Sequence, residues 1–242
     1  MNVAEYRRRR EALKLREPPV RVRCITCLQP EWSCFCAWLR PFTPPLEFVI
    51  LTHPIEVKRR RIVTGRMSHL SLSNSILMMG HDFTGRADLD RVLDDPARHC
   101  VMLYPGRSSV NLTPLSLQER RARFTPGKRP TVVVIDGTWS TARKMVHLSR
   151  NLKRLPRVCF TPSAPSAFRV RQQPRPECVS TIEAIHQTLE LFKADGSARE
   201  HDSLLEVFER MVNRQIDLAH GGTPSRRRPQ VLPERPLAPL QP

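Results

Sequence analysis

Thr131-Val-Val-Val-Ile-Asp-Gly-Thr-Trp-Ser-Thr-Ala-Arg-Lys-Met145 is the stretch whose reading decides the fold. Thr131 to Ile135 are consecutive β-branched residues with no charge among them, the mark of a strand buried on both faces in a parallel sheet. Asp136 and Gly137 end it, and Ala142, Met145 and Val146 then recur at helical spacing. Strand, tight turn and helix make one unit of an α/β sheet, and such sheets bind ligands at the carboxyl ends of their strands. Asp136, with Gly137 and Trp139 beside it, is therefore a candidate site. The plainer reading of the same residues is a helix cap, a job that Asp, Thr and Ser all do.

Working outward, Leu46 to Leu51 reads as the first strand, and Thr52-His53-Pro54-Ile55-Glu56 ends it. Pro54 suits a first helical position and Glu56 a first turn. The helix is predicted to run through Arg59-Arg60-Arg61 and Ile62-Val63 to Thr64-Gly65-Arg66. Ser68 to Met79, closed by Gly80, suits a helix end or a short strand equally. A short surface helix is expected over Asp88 to Asp94. His99 to Tyr104 is a second buried strand, and Pro105-Gly106-Arg107-Ser108-Ser109 after it permits close approach of backbone to a ligand. A helix over Leu115 to Arg123 and a loop over Thr125 to Pro130 lead into the central strand. Beyond that strand, Arg157 to Thr161 predicts another. Residues 162–176 form a long irregular loop, which in a compact domain signals function or disorder. Ser180 and Glu183 have capping-box spacing, and Ile182, Ile185, Leu189 and Phe192 form the stripe of the helix they start. A last amphipathic helix over 201–218 turns Leu204, Phe208, Met211 and Val212 inward. The fold class is α/β, a mostly parallel sheet with flanking helices.

Of the 242 residues, 40 are Lys or Arg and 23 are Asp or Glu, a formal net charge of +17. Such an excess favours polyanions through phosphate contacts and counterion release. Arg143, His147, Arg150 and Arg154 fall at i, i+4, i+7 and i+11, one basic stripe leading away from the Asp136 turn and a natural track for an RNA backbone. No apolar run approaches the roughly 20 residues that span a bilayer, and the basic N-terminus lacks the apolar core of a secretory signal. Residues 1–20 read as a basic flexible arm and 221–242 as a disordered tail rich in Pro and Arg.

Cysteine placement is uneven. Cys24-Ile-Thr-Cys27 and Cys34-Phe-Cys36 put two thiolate pairs close together, with Gln29-Pro30 as turn chemistry between them. Four soft sulfur ligands suit a closed, structural zinc site over residues 21–40; an iron–sulfur cluster and plain buried cysteines are the other readings. A metal cluster also points to a reducing compartment rather than to a disulfide framework.

Asp136-Gly-Thr-Trp139, continued by Ala142, Lys144 and Met145, resembles the signature of the DTW-domain family, the tRNA-uridine aminocarboxypropyltransferases, which are related to the knotted SPOUT methyltransferases. Further stretches match in the family's order. They are the four-cysteine cluster, His53, Pro54, Glu56 and Arg59 with Thr64-Gly65-Arg66, and Arg169 with Ser180, Thr181, Glu183 and Ala184. Val63 stands where many members carry asparagine. The resemblance implies a catalytic domain over residues 41–220, SPOUT-like and knotted, and transfer of the 3-amino-3-carboxypropyl group of S-adenosylmethionine to N3 of a tRNA uridine in the cytoplasm. It implies cofactor contacts at Leu103, Tyr104, Pro105, Gly106, Thr138, Trp139, Ser180, Thr181 and Glu183. Contacts to tRNA are expected at Arg59, Arg66, Arg143, His147, Arg150, Arg169 and Arg171. Asp136, the acidic residue of the signature turn, is cast as general base for the N3 proton. The alternatives are a methyltransferase of the knotted class and a zinc-containing RNA-binding protein without catalysis.

Overall fold

The computed structural model describes residues 23–59, 63–171, 173–175, 177–194 and 196–219. The expected basic arm, the Pro/Arg tail, Arg60, Arg61 and the side chain of Arg59 lie outside the described residues. Among the described residues six strands form one sheet: β1 (Glu47–Thr52), β2 (Ser75–Met79), β3 (Arg98–Leu103), β4 (Val110–Asn111), β5 (Arg129–Asp136) and β6 (Arg157–Cys159). Their order is β2-β1-β5-β3-β6-β4, and every pairing is parallel. β5, the run of β-branched residues, lies between β1 and β3 and is buried over Thr131–Val134.

Helices cover both faces, as a parallel sheet requires. They are α1 (Pro54–Arg59), α2 (Thr64–Ser71), α3 (Ala87–Leu93), α4 (Leu117–Arg121), α5 (Trp139–Leu148), α6 (Arg150–Lys153), α7 (Thr181–Phe192) and α8 (Asp202–Ala219). Strand side chains alternate between the faces. Phe48, Ile50, Val132 and Val134 pack with Met67 of α2, Ile182, Ile185 and Leu189 of α7, and Leu204, Phe208 and Met211 of α8. Val49, Leu51, Met102 and Val133 pack on the other face with Leu89 of α3, Met145 and Val146 of α5, and Leu152 of α6.

Two expected helices are interrupted. The run from Pro54 to Arg66 is broken at Val63, whose φ of −108° and ψ of 83° are not helical, so α2 starts afresh at Thr64. The basic stripe is broken as well. α5 ends at Leu148, and Ser149, fully buried, turns the chain with φ −78° and ψ 102° while its hydroxyl accepts from the Phe83 N–H at 3.0 Å. Arg150 and Arg154 therefore leave the line of Arg143 and His147, and Arg154 pairs with Asp94 at 2.6 Å. The ambiguous Ser68–Met79 segment contains both structures, the end of α2 and then β2.

At the amino ends of the strands, Glu47 accepts from Arg98 Nε at 2.7 Å and from the Thr131 hydroxyl at 2.9 Å. Burial would raise its pKa, but these bonds and the charges of Arg98 and Arg129 hold it below the usual range. This staple ties β1, β3 and β5 together from three distant stretches of chain.

Candidate active site and metal centre

A cavity of about 810 Å³ opens at the carboxyl ends of β5, β3 and β6. Leu103, Tyr104, Pro105 and Gly106 wall it from the end of β3, and Cys159 to Pro162 from the end of β6. Val134, Ile135 and Gly137 come from β5, and Trp139, Ala142 and Arg143 from α5. The 162–176 loop and its continuation contribute Arg171, Gln173, Pro174, Arg175, Glu177 and Cys178, and the start of α7 contributes Ser180, Thr181 and Ala184. Thus seven of the nine expected cofactor contacts (Leu103, Tyr104, Pro105, Gly106, Trp139, Ser180 and Thr181) meet in one place.

The other two have structural duties. Thr138 is the N-cap of α5, its hydroxyl accepting from the Thr141 N–H at 3.1 Å. Glu183 completes the capping box of α7: its carboxylate accepts from the Ser180 N–H at 2.7 Å and the Ser180 hydroxyl at 2.6 Å. The same carboxylate accepts from the Ser166 hydroxyl and the Ala167 N–H, both at 2.7 Å, and so pins the long loop to the helix start.

Asp136 is not a cap, because Thr138 performs that task. Its carboxylate lies beneath the cavity wall, 3% exposed. Oδ1 accepts from the Thr181 hydroxyl at 2.6 Å and more weakly from Thr64 at 3.4 Å, while the buried Oδ2 has no hydrogen-bond partner among the described residues. Burial raises its pKa, the Thr181 bond opposes this, and the charge of Glu56 raises it further. The α2 backbone closes over the carboxylate: a Cβ on Gly65 would fall 2.4 Å from Oδ2, so the Thr-Gly-Arg match is a requirement for space. Gly137 is held to glycine similarly, since a Cβ there would meet the Thr141 hydroxyl at 2.6 Å.

The His-Pro-x-Glu residues support this corner from behind and do not line the cavity. The backbone N–H of His53 donates to the Asp136 carbonyl at 2.9 Å, and its ring Nδ1 accepts from the Ile55 N–H at 3.2 Å at the start of α1. Burial, aided by His81 and Lys144, lowers the pKa of that ring. Pro54 opens α1, and the buried Glu56 has Oε2 4.0 Å from Nη1 of Arg171.

The arginines expected on RNA divide. Arg66 donates twice to the Thr26 carbonyl, at 2.9 and 2.7 Å, and Arg169 bonds Asn213. Arg171 turns into the cavity. Arg143, His147 and Arg150 stay exposed.

Cys24, Cys27, Cys34 and Cys36 come together, with Cys24–Cys36 and Cys27–Cys34 sulfur separations of 3.7 and 3.6 Å. Tetrahedral zinc with bonds of about 2.3 Å needs sulfurs about 3.8 Å apart, so the set fits zinc. Hydrogen bonding among the crowded thiols holds Cys34 low and pushes Cys27 and Cys36 up. The chain reverses at Ile25–Cys27, with Leu28 at φ 59°, earlier than the expected Gln29-Pro30 turn. Arg66 and Arg214, the latter through the Trp32 carbonyl at 3.2 Å, moor the element to α2 and α8.

Sequence reasoning missed Gln173, Cys178, Val134 and the β6 end as cavity wall. The length of the 162–176 loop was the available signal for Gln173.

The chain matches the DTW domain over residues 21–216. Among curated proteins it is similar to tRNA-uridine aminocarboxypropyltransferase 2 of Drosophila melanogaster, 32% identical over 208 residues, spanning 83% of this chain and 77% of that protein. The mouse protein of the same name is 28% identical over 83% of this chain and 65% of its own length. tRNA-uridine aminocarboxypropyltransferase A of Arabidopsis thaliana is 27% identical over 88% and 86%. No solved structure matches significantly. Signature turn, four-cysteine element and the match over residues 21–216 agree: the chain belongs to the DTW-domain family.

Proposed function

We propose that the chain transfers the 3-amino-3-carboxypropyl group of S-adenosylmethionine to N3 of a uridine in tRNA, releasing methylthioadenosine. The observation that carries this reading is where the signature residues fall. Gly137, Trp139 and Ala142 wall the strand-end cavity, and Asp136 lies under Thr181, which also faces it. The names of the relatives supply the reaction class.

The donor sulfonium is already activated, so the protein's task is to aim the correct carbon and manage one proton. Uridine N3 gives up its proton, and its electron pair forms the bond to the donor's γ-carbon. The carbon–sulfur bond breaks with its pair going to sulfur, which leaves as a neutral thioether. Thr181 receives the N3 proton as it passes its own to Asp136 Oδ1, 2.6 Å away. The raised pKa of Asp136 suits it to accept. Arg143, His147 and Arg150 supply exposed positive charge for the tRNA backbone beside the cavity. Cys24, Cys27, Cys34 and Cys36 would hold zinc in a closed site that fixes the shape of residues 24–36 and, with all four positions filled by protein, would take no part in the transfer. The knot of the SPOUT relationship and a cytoplasmic location belong to the same reading.

Incubation with S-adenosylmethionine and bulk tRNA, followed by mass spectrometry of nucleosides, tests it. The expected product is uridine carrying the aminocarboxypropyl mass. A methylated nucleoside would assign the chain to the methyltransferases, and unmodified tRNA that binds tightly would leave an RNA-binding protein. In the same preparation one zinc per chain is expected, lost together with the fold of the N-terminal element in Cys27→Ser. Iron with sulfide would overturn the zinc assignment.

A further inference from the structure

Three arginines wall the cavity, and they are unlike one another. Arg143 is exposed on α5. Arg175 is 76% exposed and sits 4.0 Å from Glu177, which is exposed too. Arg171 is 24% exposed, packed with Cζ 5.8 Å from the centre of the Phe168 ring and held by the buried Glu56 at 4.0 Å. At that distance Glu56 steadies the charge without taking up the N–H groups, and among the described residues the Arg171 guanidinium donates no hydrogen bond. A half-buried guanidinium that faces a cavity with its N–H groups open is placed to meet a ligand there. Phe168 is itself fixed, because its loop is pinned by Glu183 through Ser166 and Ala167. Arg171 and Thr181, the partner of Asp136, line the same cavity.

A planar guanidinium with a free fork matches one chemical group above others, a carboxylate taken by two parallel N–H bonds. The transferred group of the donor carries one carboxylate, on its α-carbon. We infer that Arg171 binds the α-carboxylate of the aminocarboxypropyl group and thereby selects a carboxypropyl donor over one that lacks the carboxylate. This rests on the reaction proposed above. It makes Arg171 the group that fixes the reacting chain of the donor, where a contact to phosphate would instead leave the donor untouched. An RNA phosphate at Arg171 is the competing occupant, and its effect falls on a different ligand.

The test uses the full-length protein with S-adenosylmethionine and its decarboxylated analogue, whose chain is aminopropyl. Calorimetric binding of each donor without tRNA is measured for wild type, Arg171→Gln and Arg171→Lys. Turnover with tRNA is then followed for both donors. Arg171→Gln is expected to weaken S-adenosylmethionine binding roughly 10- to 100-fold, the usual worth of a charged hydrogen-bonded contact. Binding of the analogue should be unchanged. Arg171→Lys should fall between, since it keeps charge and loses the fork. Equal losses for both donors would reduce Arg171 to a structural residue. Unchanged donor binding with weakened tRNA binding would assign it to phosphate. Wild type that binds both donors alike overturns the carboxylate assignment alone, whereas wild type that binds neither overturns the parent reaction and this inference with it.

Discussion

The two ends of the sheet each bury a carboxylate, and the two are treated oppositely. Glu47 opens β1 at the amino end, meets Arg98 at 2.7 Å, and is held in its charged form. Asp136 closes β5 at the carboxyl end, one strand away, meets hydroxyls alone, and is pushed toward its neutral form by burial. Both occupy the boundary of the same hydrophobic layers, so burial does not distinguish them. Pairing does. A buried charge with a guanidinium partner serves the fold, and removing one partner is expensive. A buried carboxylate with hydroxyl partners and one open oxygen opposes the fold, and such uncompensated groups collect where chemistry is done. The comparison separates a staple from a site without reference to sequence motifs.

The largest effect that tests this contrast is on turnover. Asp136→Asn keeps the shape and removes the proton acceptor proposed above, so activity should fall by about 10²–10⁴-fold. Circular dichroism and tRNA binding should be unaltered. Near-normal activity would make Asp136 a structural residue after all. The same variant should be as stable as wild type or more so, by about 1 kcal/mol, because it removes an unfavourable buried charge.

Glu47→Gln should do the reverse. It leaves Arg98 half-paired, with Asp95 as its remaining acid, at a cost of about 3–5 kcal/mol in urea unfolding. Activity per folded molecule should persist. A loss of activity without a loss of stability would show that the staple acts on the site.

The pH dependences have opposite signs. The pKa of Glu47 is depressed in the folded state, so its contribution is present above the ordinary glutamate value and is lost as pH falls through the folded value. That of Asp136 is raised, so its contribution is present below the ordinary aspartate value and is lost as pH rises through the folded value. Relative to wild type, Glu47→Gln should therefore be most destabilised at neutral pH and least in acid. Asp136→Asn should gain its advantage in the neutral range and lose it in acid. Melting scans across pH on both variants check the pair together.

The smallest effect sharpens the contrast within the site. Thr181→Ser retains the hydroxyl on Asp136 and should cost less than about tenfold in rate, whereas Thr181→Val should approach Asp136→Asn. Equal rates in the two Thr181 variants would remove the hydroxyl from the proton path.

Much of this was legible in the chain. The β-branched run at 131–135, the four closely spaced cysteines and the Ser180–Glu183 box each encode their structure within a short stretch of chain, where local sterics, ligand spacing and capping decide the outcome. The breaks at Val63 and Ser149 were not legible, because each serves a distant residue: α2 starts afresh so that Thr64 meets Asp136, and Ser149 bonds Phe83. The division of the arginines was hidden for the same reason. Arg66, Arg169 and Arg171 look alike as charge, and only their surroundings send one to a carbonyl, one to Asn213 and one into the cavity.

The sequence by itself determined the class of fold, the four-cysteine cluster and the signature turn, since periodicity and spacing are properties of neighbouring residues. Only the tertiary structure decided that Asp136 lies under Thr181 rather than in the cavity wall, that Glu47 and not another acid is the staple, and that Arg171 alone among the cavity's arginines is half-buried with its fork open. Those are matters of pairing and burial, fixed where strands far apart in the chain meet in the middle of the sheet, Glu47 at its amino end and Asp136 at its carboxyl end.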